Sequence, residues 1–367
     1  MRALEWVPGT PNKSGGRLRF IDQTKLPLEE SYIETDRVEA IADALRELSI
    51  RGAPAIGIAA AFGLVVATQS ARTNSQLRAA FNSAADLLAA TRPTAVNLFW
   101  SIRRLRRILE NKSSGPLDSL KRLLAKEAES MLKEDEETCR LIGKHGASLV
   151  PEGARILTHC NTGALATGGD GTAQAVITSA ARQGKHVVVY VDETRPLLQG
   201  ARLATWELMK AGIDVTLITD NTAAFLMKQK NVDLIVVGAD RIALNGDVAN
   251  KIGTYNLAVL AEKHRIPMYV AAPTSSIDFE LVSGDSIPIE ERNSKEVTEG
   301  FGKRIAPRGV RVYSPAFDVT PHLLITAIVT EAGVVRPPYI RSIAALKEQQ
   351  EILNSSTSMS ERDDRHV

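Results

Sequence analysis

The second half of the 367-residue chain alternates short β-branched runs with helical stretches, beginning near Ile156. One run, Leu234-Ile235-Val236-Val237, is apolar throughout, which suits a strand buried on both faces of a sheet. Crossover helices on both sides of a parallel sheet create that environment. The pattern therefore predicts an α/β fold with a doubly wound parallel sheet, whose strands lie near 156–158, 186–192, 214–219, 233–237 and 267–272.

The first 150 residues have a mostly helical pattern. Short strands are expected near 4–7 and 18–20, followed by helices over 38–48, 54–68, 75–90, 94–110 and 116–149. A further helix over 321–332, ended by Gly333 and by Pro337-Pro338, is predicted to close the α/β part. Since a typical domain has about 100 to 200 residues, we expect a helical domain over 1–150, an α/β domain over 151–345 and a polar tail over 346–367, disordered from about Asn354.

The charge balance excludes several classes of partner. The 45 basic and 43 acidic residues leave a net charge of +2, which gives no general attraction to nucleic acid or to a membrane. The basic run over 103–107 lies in a helical pattern with acids nearby, and we interpret it as a solvated helix face. The longest weakly polar run, 53–67, is shorter than the roughly 20 residues that span a bilayer. We therefore expect a small ligand.

The N-terminus lacks the apolar segment of a secretory signal, which predicts a cytoplasmic protein. The two cysteines, Cys139 and Cys160, are too few for a disulfide framework or a cysteine-rich zinc site. The six histidines show no HxxxH or HxH spacing, so no metal is expected. His159 should point away from its neighbour Cys160, because adjacent residues on an extended strand face opposite sides, and we predict a structural role for it.

Two residues with reactive side chains follow predicted strands. In open parallel sheets, ligands bind at the carboxyl ends of the strands, where Cys160 and Asp240 both lie. Cys160 is either an inert buried cysteine or a thiol whose pKa is lowered by helix N-termini. Asp240 either pairs with Arg241 or caps a turn, or it forms an acid–base pair with Cys160.

The glycine-rich stretch Thr167-Gly168-Gly169-Asp170-Gly171-Thr172 follows the first of these strands. Such a loop lets backbone amides approach an anion. It is not the dinucleotide fingerprint, because Gln174 occupies the third glycine position, and the chain has no Walker motif. These absences argue against a nicotinamide-dependent dehydrogenase.

Three cations coincide with predicted helix starts. Arg51 precedes Gly52-Ala53-Pro54, Arg92 precedes Pro93-Thr94, and Lys251 follows Asn250 as a possible cap. Each is compatible with ordinary capping. Free amides beside a cation make an anion site, and three such sites together predict a phosphorylated substrate between the domains.

Five motifs of this chain closely resemble those of the methylthioribose-1-phosphate isomerase family. They are Arg51-Gly52-Ala53-Pro54-Ala55-Ile56-Gly57, His159-Cys160-Asn161-Thr162-Gly163, Asp192-Glu193-Thr194-Arg195-Pro196 with Gln199-Gly200-Ala201-Arg202, Gly238-Ala239-Asp240-Arg241, and Asn250-Lys251-Ile252-Gly253-Thr254. The family is related to the regulatory subunits of the translation-initiation factor that exchanges guanine nucleotide, and to archaeal ribose-1,5-bisphosphate isomerases.

The resemblance implies a mostly helical N-terminal domain, a Rossmann-like C-terminal domain, a homodimer and no cofactor. The implied reaction converts 5-methylthioribose 1-phosphate to 5-methylthioribulose 1-phosphate in methionine salvage. Asp240 takes the role of proton donor, and Cys160 is either a base or a stabiliser of the transition state. The implied substrate-binding residues are Arg51, Gly52, Ala53, Arg92, Gln199, Asn250 and Lys251.

Two alternatives accompany this interpretation. Relatives with nearly the same core act on 5-deoxyribose 1-phosphate, which differs from the methylthio sugar mainly in apolar bulk. A non-catalytic regulatory subunit has the same fold. The joint presence of Cys160 and Asp240 favours the enzyme, because a binding module has no chemical need for both.

Overall fold

A small antiparallel sheet and five helices form the first part of the chain. The computed structural model describes residues 2–9, 15–93, 95–112, 115–300 and 302–348. The elements of the first part are β1 Leu4–Val7, β2 Arg17–Ile21, β3 Tyr32–Thr35, α1 Val38–Arg46, α2 Ala53–Thr68, α3 Asn74–Ala89, α4 Val96–Asn111 and α5 Leu117–Ala147. All but β3 were expected, which confirms the mostly helical pattern.

Helix α2 is the centre of the first core. It is apolar on all sides, because α1, α3, α4 and α5 pack around it. Phe62 in α2 is fully buried and stacks on Trp6 of β1, with ring centroids 4.9 Å apart. A rigid α2 gives a fixed position to the residues just before its first turn.

The second part of the chain alternates strands and helices. Its elements are β4 Arg155–Thr158, α6 Ala173–Arg182, β5 Val188–Asp192, a π-helical turn Gly200–Ala204, α7 Thr205–Lys210, β6 Asp214–Ile218, α8 Thr222–Lys228, β7 Leu234–Val237, β8 Arg241–Ala243, β9 Val248–Lys251, α9 Thr254–His264, β10 Met268–Ala271, β11 Ile277–Asp278, α10 Lys295–Thr298, β12 Glu299–Gly300, β13 Lys303–Arg304, β14 Phe317–Thr320, β15 Ala327–Thr330 and β16 Gly333–Val335. Residues 339–348 are helical.

Seven of these strands form the main sheet, in the order β16-β15-β10-β7-β4-β5-β6. All neighbours are parallel except β15 and β16. Alternate residues enter two different cores: Ile156 packs with α5 and α6, whereas Leu157 packs with α8 and α9. Helices on both faces confirm the predicted doubly wound α/β fold.

A second sheet brings the loops after β7 and β9 together. Its order is β11-β8-β9-β14, and β8 and β9 form an antiparallel hairpin. The hairpin begins directly after Asp240 and ends at Lys251. Two segments that are separate in the sequence thus meet beside the carboxyl edge of the main sheet.

The helix predicted over 321–332 is wrong. Its second half is strand β15, which pairs in parallel with β10, and β16 follows as an antiparallel edge. All four residues of β15 are buried. A short buried apolar run has no periodicity that separates strand from helix, and pairing with β10 decides the outcome.

The predicted domain boundaries stay predictions, although the helical part ends at Ala147 and the main sheet begins at Arg155. Leu346 is buried within the helix over 339–348. The remainder of the predicted tail, including the disorder expected from Asn354, lies outside the described residues. Within the described ranges, no helix combines the length and apolar composition needed to cross a bilayer.

Candidate active site

A cavity of about 120 Å³ lies between the start of α2 and the carboxyl edge of the main sheet. All nine residues predicted as site residues line it. They are Arg51, Gly52, Ala53, Arg92, Cys160, Gln199, Asp240, Asn250 and Lys251. The structure therefore brings the predicted residues to one place, while their individual roles remain predictions.

Arg51 enters the cavity from the start of α2. Gly52 is the N-cap with φ +93°, and a Cβ there would lie 2.5 Å from the Cα of Ala166, so only glycine fits. Arg51 donates from Nη1 to the backbone oxygen of Asn161 at 3.3 Å and from Nη2 to its side-chain oxygen. Burial lowers the pKa of Arg51, opposed by Cys160, Glu207 and Asp240. Arginine nonetheless stays charged in proteins, so Arg51 is a fixed cation at a helix start, as predicted.

The other two cations do not lie at helix starts. Helix α4 begins at Val96, four residues after Arg92, and Thr94 lies outside the described residues. Lys251 ends strand β9, and α9 begins only at Thr254. The helix-start prediction was wrong for Arg92, which lies in the loop before α4, and for Lys251, where the hairpin of β8 and β9 overrides the capping pattern. Both residues nevertheless line the cavity.

Cys160 follows β4 in a left-handed conformation, with φ +65°. Its backbone N–H donates to the hydroxyl of Thr194 at 2.8 Å, which fixes the turn. Burial raises the pKa of the Cys160 thiol, and the nearby Arg51 and Lys251 only partly offset this. Of the two alternatives for Cys160, the thiol with a lowered pKa is contradicted, because desolvation outweighs the local cations. The raised pKa favours the protonated thiol.

His159 is buried and does not line the cavity, which agrees with its predicted structural role. Its Nδ1 lies 2.9 Å from the Asp192 carboxylate, and its Nε2 lies 2.8 Å from the backbone oxygen of Ile252. A neutral imidazole has one N–H, whereas both nitrogens face acceptors. Burial opposes a charge on His159, but the hydrogen bond and the charge of Asp192 together with the hydrogen bond to Ile252 outweigh it and raise the pKa of His159. The pair joins β4, β5 and the loop after β9.

Asp220 lies beside this pair, and its ligand atoms with those of His159 and Asp192 fall within 4.8 Å of one another. Asp220 accepts the backbone N–H groups of Thr194 and Arg195, both at 2.8 Å. These atoms already serve as hydrogen-bond partners that shape the loop after β5.

Asp240 stands at the start of the β8–β9 hairpin, and its backbone N–H donates to the oxygen of Ala249 at 2.9 Å. Arg241 pairs instead with Asp278, at 3.6 Å, so the predicted alternative of an Asp240–Arg241 pair is wrong. Asp240 is exposed and lines the cavity. Partial desolvation by the cavity walls raises the pKa of Asp240, opposed by Lys251, Arg92 and Arg51. A carboxyl that holds its proton to higher pH suits a proton donor.

The remaining polar residues present hydrogen-bonding groups to the cavity. The ammonium of Lys251 donates to the oxygen of Ala316 at 2.9 Å and lies 4.7 Å from the ring centre of Phe317. Asn250 donates to the hydroxyl of Thr254 at 2.9 Å. Among the described residues, the side-chain oxygen of Gln199 and the Nε of Arg51 are buried without a hydrogen-bond partner. Both therefore suit a polar ligand.

Sequence reasoning missed a charged group on the far wall. Glu290 and Arg292 line the cavity, and Arg292 forms ion pairs with Glu290 at 2.8 Å and with Glu296 at 2.6 Å. These residues lie in an irregular segment without a long strand or helix. Their alternating charges are the only sequence signal, and such patterns are common on solvated surfaces.

The glycine-rich loop packs closely against neighbouring segments. The N–H of Gly168 donates to the carboxylate of Asp135 at 2.6 Å, so that amide is not free for an anion. A Cβ on Gly171, which has φ +95°, would lie 2.1 Å from the oxygen of Thr162. The glycines permit close packing of backbone against α5 and the loop after β4, while Thr167 and Thr172 line the cavity.

Known proteins resemble this chain in sequence and fold. The model of the initiation factor 2 subunit family matches residues 49–337. A methylthioribose-1-phosphate isomerase of Geobacter sulfurreducens is 52% identical over 347 residues, which cover 94% of this chain and 98% of that protein. Two solved structures share the fold over nearly the whole chain.

The first is 5-methylthioribose 1-phosphate isomerase from Pyrococcus horikoshii OT3, with a TM-score of 0.88 and 48% identity, covering 95% of this chain and 96% of that chain. The second is the translation initiation factor eIF-2B, subunit delta, from A. fulgidus, with a TM-score of 0.84 and 44% identity, covering 94% of this chain and 98% of that chain. The similarity thus extends far beyond the five motifs.

Proposed function

The chain belongs to the initiation factor 2 subunit family, and on that premise we propose that it is a methylthioribose-1-phosphate isomerase. It is an enzyme that converts 5-methylthioribose 1-phosphate to 5-methylthioribulose 1-phosphate, a step of methionine salvage. The observation that carries this conclusion is identity above 50% along nearly the full length of isomerases. The cavity that holds Cys160 and Asp240 supplies the matching chemistry.

The reaction begins with the opening of the sugar ring. Phosphate on the C1 oxygen prevents the spontaneous opening of a free aldose, so an acid must protonate the ring oxygen as its bond to C1 breaks. Asp240 is the proposed donor, because its side chain faces the cavity and its raised pKa favours the protonated form relative to an ordinary aspartate. The hydrogen on C2 then moves to C1, and the C2 hydroxyl releases its proton, which balances the proton given to the ring oxygen. This leaves a ketone at C2, a free hydroxyl at the former ring oxygen and a CH₂ group that carries the phosphate.

Cys160 is the proposed second catalytic residue. Because burial raises its pKa, the thiol is protonated near neutral pH and is poorly suited to start as a base. A substrate phosphate would occupy the neighbouring cations Arg51 and Lys251 and weaken the support for a thiolate further. We therefore assign Cys160 to stabilisation of the transition state by a neutral thiol.

Three cations from separate segments support a phosphate subsite. Arg51 comes from the start of α2, Arg92 from the loop before α4, and Lys251 from the end of β9. Gln199 and Asn250 then present groups that suit the sugar hydroxyls. The proposed reaction moves hydrogen within one substrate and is redox-neutral overall, so we propose that it needs no nicotinamide, metal or other cofactor.

A coupled assay with three substrates tests this function. The purified protein should act on 5-methylthioribose 1-phosphate with a higher kcat/KM than on ribose 1,5-bisphosphate. The kcat/KM for 5-deoxyribose 1-phosphate is expected to lie within about 10 to 200-fold of the kcat/KM for 5-methylthioribose 1-phosphate. The reason is that one apolar group gives only about 1 to 3 kcal/mol of discrimination. A folded protein without activity on any of the three sugars would contradict the proposal and favour a binding role.

The proposed enzyme is a cytoplasmic homodimer that does not bind nucleic acid. Strand β6 is an open edge of the main sheet, and large apolar side chains are exposed on it and on its two neighbouring helices. Met209 is 68% exposed, Leu217 50% and Phe225 57%. A second copy of the chain that packs on this edge would cover these side chains symmetrically.

A further inference from the structure

A buried carboxylate beneath the cavity has no part in the proposed chemistry. Glu207 lies in α7, is 5% exposed and does not line the cavity. We propose that Glu207 is a positioning residue that holds the Arg51 guanidinium in place through the side chain of Asn161. This inference rests on the proposed function only for the identity of the substrate, since the contacts themselves join three named side chains.

The contacts form a continuous chain. One oxygen of Glu207 accepts a hydrogen bond from Nδ2 of Asn161 at 2.5 Å, and the other accepts the backbone N–H of Leu165 at 2.7 Å. The side-chain oxygen of Asn161 accepts from Nη2 of Arg51. Glu207 therefore reaches the wall of the cavity through one intervening amide.

The polarity of these groups fixes the orientation of the amide. A carboxylate only accepts hydrogen bonds, and a guanidinium only donates them. Asn161 lies between the two, so its NH₂ group must face Glu207 and its oxygen must face Arg51. The opposite orientation would put donor against donor at Arg51, and the arrangement thus specifies where the guanidinium points.

The positive charge of Arg51 is a second reason for a carboxylate at position 207. Arg51 is half-buried with its Nε fully enclosed, and a desolvated cation without a counter-charge is destabilised. The charges of both Glu207 and Asp240 favour the protonated form of Arg51. Burial raises the pKa of Glu207 to about 7, while hydrogen bonds from Asn161 and Leu165 and the charge of Arg51 favour the ionised form.

The local backbone explains how one helical segment supplies both Gln199 to the cavity and Glu207 to the support of Arg51. The π-helical turn Gly200–Ala204 runs directly into α7, so Gln199 at its start lines the cavity while Glu207 lies below it. A Cβ on Gly200 would lie 1.7 Å from the oxygen of Asp192, so the turn packs tightly on the end of β5. Single π turns are frequent at functional sites, and here the turn joins a cavity residue to a buried support.

The test is Glu207→Gln, which keeps the shape but replaces one acceptor with a donor. Either Leu165 or Asn161 then faces an N–H group, and Arg51 loses its fixed orientation. We expect KM for 5-methylthioribose 1-phosphate to rise about tenfold or more while kcat falls less than about threefold. The variant Asn161→Ala, which removes the bridge and leaves Glu207, should reproduce the rise in KM. It also tests the proposal if Glu207→Gln fails to fold.

A double-mutant cycle separates positioning from a general structural role. In the Arg51→Ala background, Glu207→Gln should change KM by less than about twofold, because the group that it positions is absent. Asp247→Asn is the matched control, since Asp247 also accepts backbone N–H groups, at 2.8 Å from His322 and 3.0 Å from Gly284, but lies away from the cavity. This control should leave KM unchanged.

Two results would overturn the proposal: a folded Glu207→Gln protein with wild-type KM, or the same rise in KM with and without Arg51. Calorimetric titration with inorganic phosphate supplies a readout that does not need isomerase activity. Wild-type protein that binds phosphate but does not turn over the sugar would contradict the proposed function alone. The inference about Glu207 would then be judged by whether Glu207→Gln weakens phosphate binding about tenfold.

Discussion

Arg51 at the start of α2 donates a hydrogen bond to the backbone oxygen of Asn161 just after β4, across 3.3 Å. The two residues are 110 positions apart and belong to the helical and the α/β parts of the chain. Asn161 is also the neighbour of Cys160, so this contact places a cation of one part beside the thiol of the other. The cavity therefore depends on both parts being docked.

The three cations should contribute mainly to substrate binding. Removing a buried charge-assisted contact costs about 1.5 to 3 kcal/mol, or roughly a 10 to 150-fold rise in Kd. We expect rises in that range for Arg51→Ala, Arg92→Ala and Lys251→Ala, measured by calorimetry with 5-methylthioribose 1-phosphate in an Asp240→Asn background that slows turnover. Arg241→Ala is the control, because Arg241 pairs with Asp278 outside the cavity. Wild-type affinity in all three variants would refute the phosphate subsite.

The thiol of Cys160 should react slowly with iodoacetamide. Its pKa is raised by burial, so the reactive thiolate is present only at higher pH than in a free cysteine. Peptide mapping across a pH series should show that modification of Cys160 increases at a higher pH than modification of a cysteine in a short peptide. Asp240→Asn removes a nearby negative charge and should shift the rise to lower pH. Rapid modification of the wild-type residue at neutral pH would instead indicate a thiolate.

The pH profile should report the protonation of Asp240. A donor must carry its proton, so kcat/KM is expected to fall as the pH rises through the raised pKa of Asp240. Glu290 raises this pKa as a like charge, and Glu290→Gln should move the fall to lower pH. Glu280→Gln changes an exposed carboxylate outside the cavity and should leave the profile unchanged. If kcat/KM of Glu290→Gln falls at the same pH as that of the wild type, this would contradict the coupling between Glu290 and Asp240.

The dimer prediction concerns the β6 edge of the sheet. Sedimentation at micromolar concentration should give twice the mass of one chain. Leu217→Arg places a charge in the proposed apolar contact and should shift the protein toward monomer, whereas Val282→Arg, at an exposed site outside β6 and its neighbouring helices, should not. A monomeric wild-type protein would rule out this interface.

Sequence patterns predicted the fold where the signal was local and continuous. The run from Leu234 to Val237 required a strand covered on both faces, and Gly52 with Pro54 marked the start of α2. Patterns failed where distant pairing decided the structure. Asn250 resembles a helix cap in sequence, but it lies in a strand opposite Asp318, which is 68 positions away.

The same limit applies to the site. Cys160 and Asp240 could be found because both follow strands whose carboxyl ends share one edge. Glu207 could not, because a single glutamate in a helical stretch resembles a solvated residue. Its function depends on Asn161, 46 positions earlier, which only the folded chain brings within 2.5 Å.

The central claim is that Asp240 donates the proton that opens the sugar ring, with Cys160 as its partner. The most direct measurement is turnover of 5-methylthioribose 1-phosphate by wild-type, Asp240→Asn and Cys160→Ser proteins, followed by NMR of substrate and product. We predict that both folded variants bind the sugar, that Asp240→Asn converts it about a hundredfold more slowly or worse because the transferable proton is lost, and that Cys160→Ser also converts it more slowly because the thiol no longer stabilises the transition state. A folded Asp240→Asn protein that forms product at the wild-type rate would contradict the account.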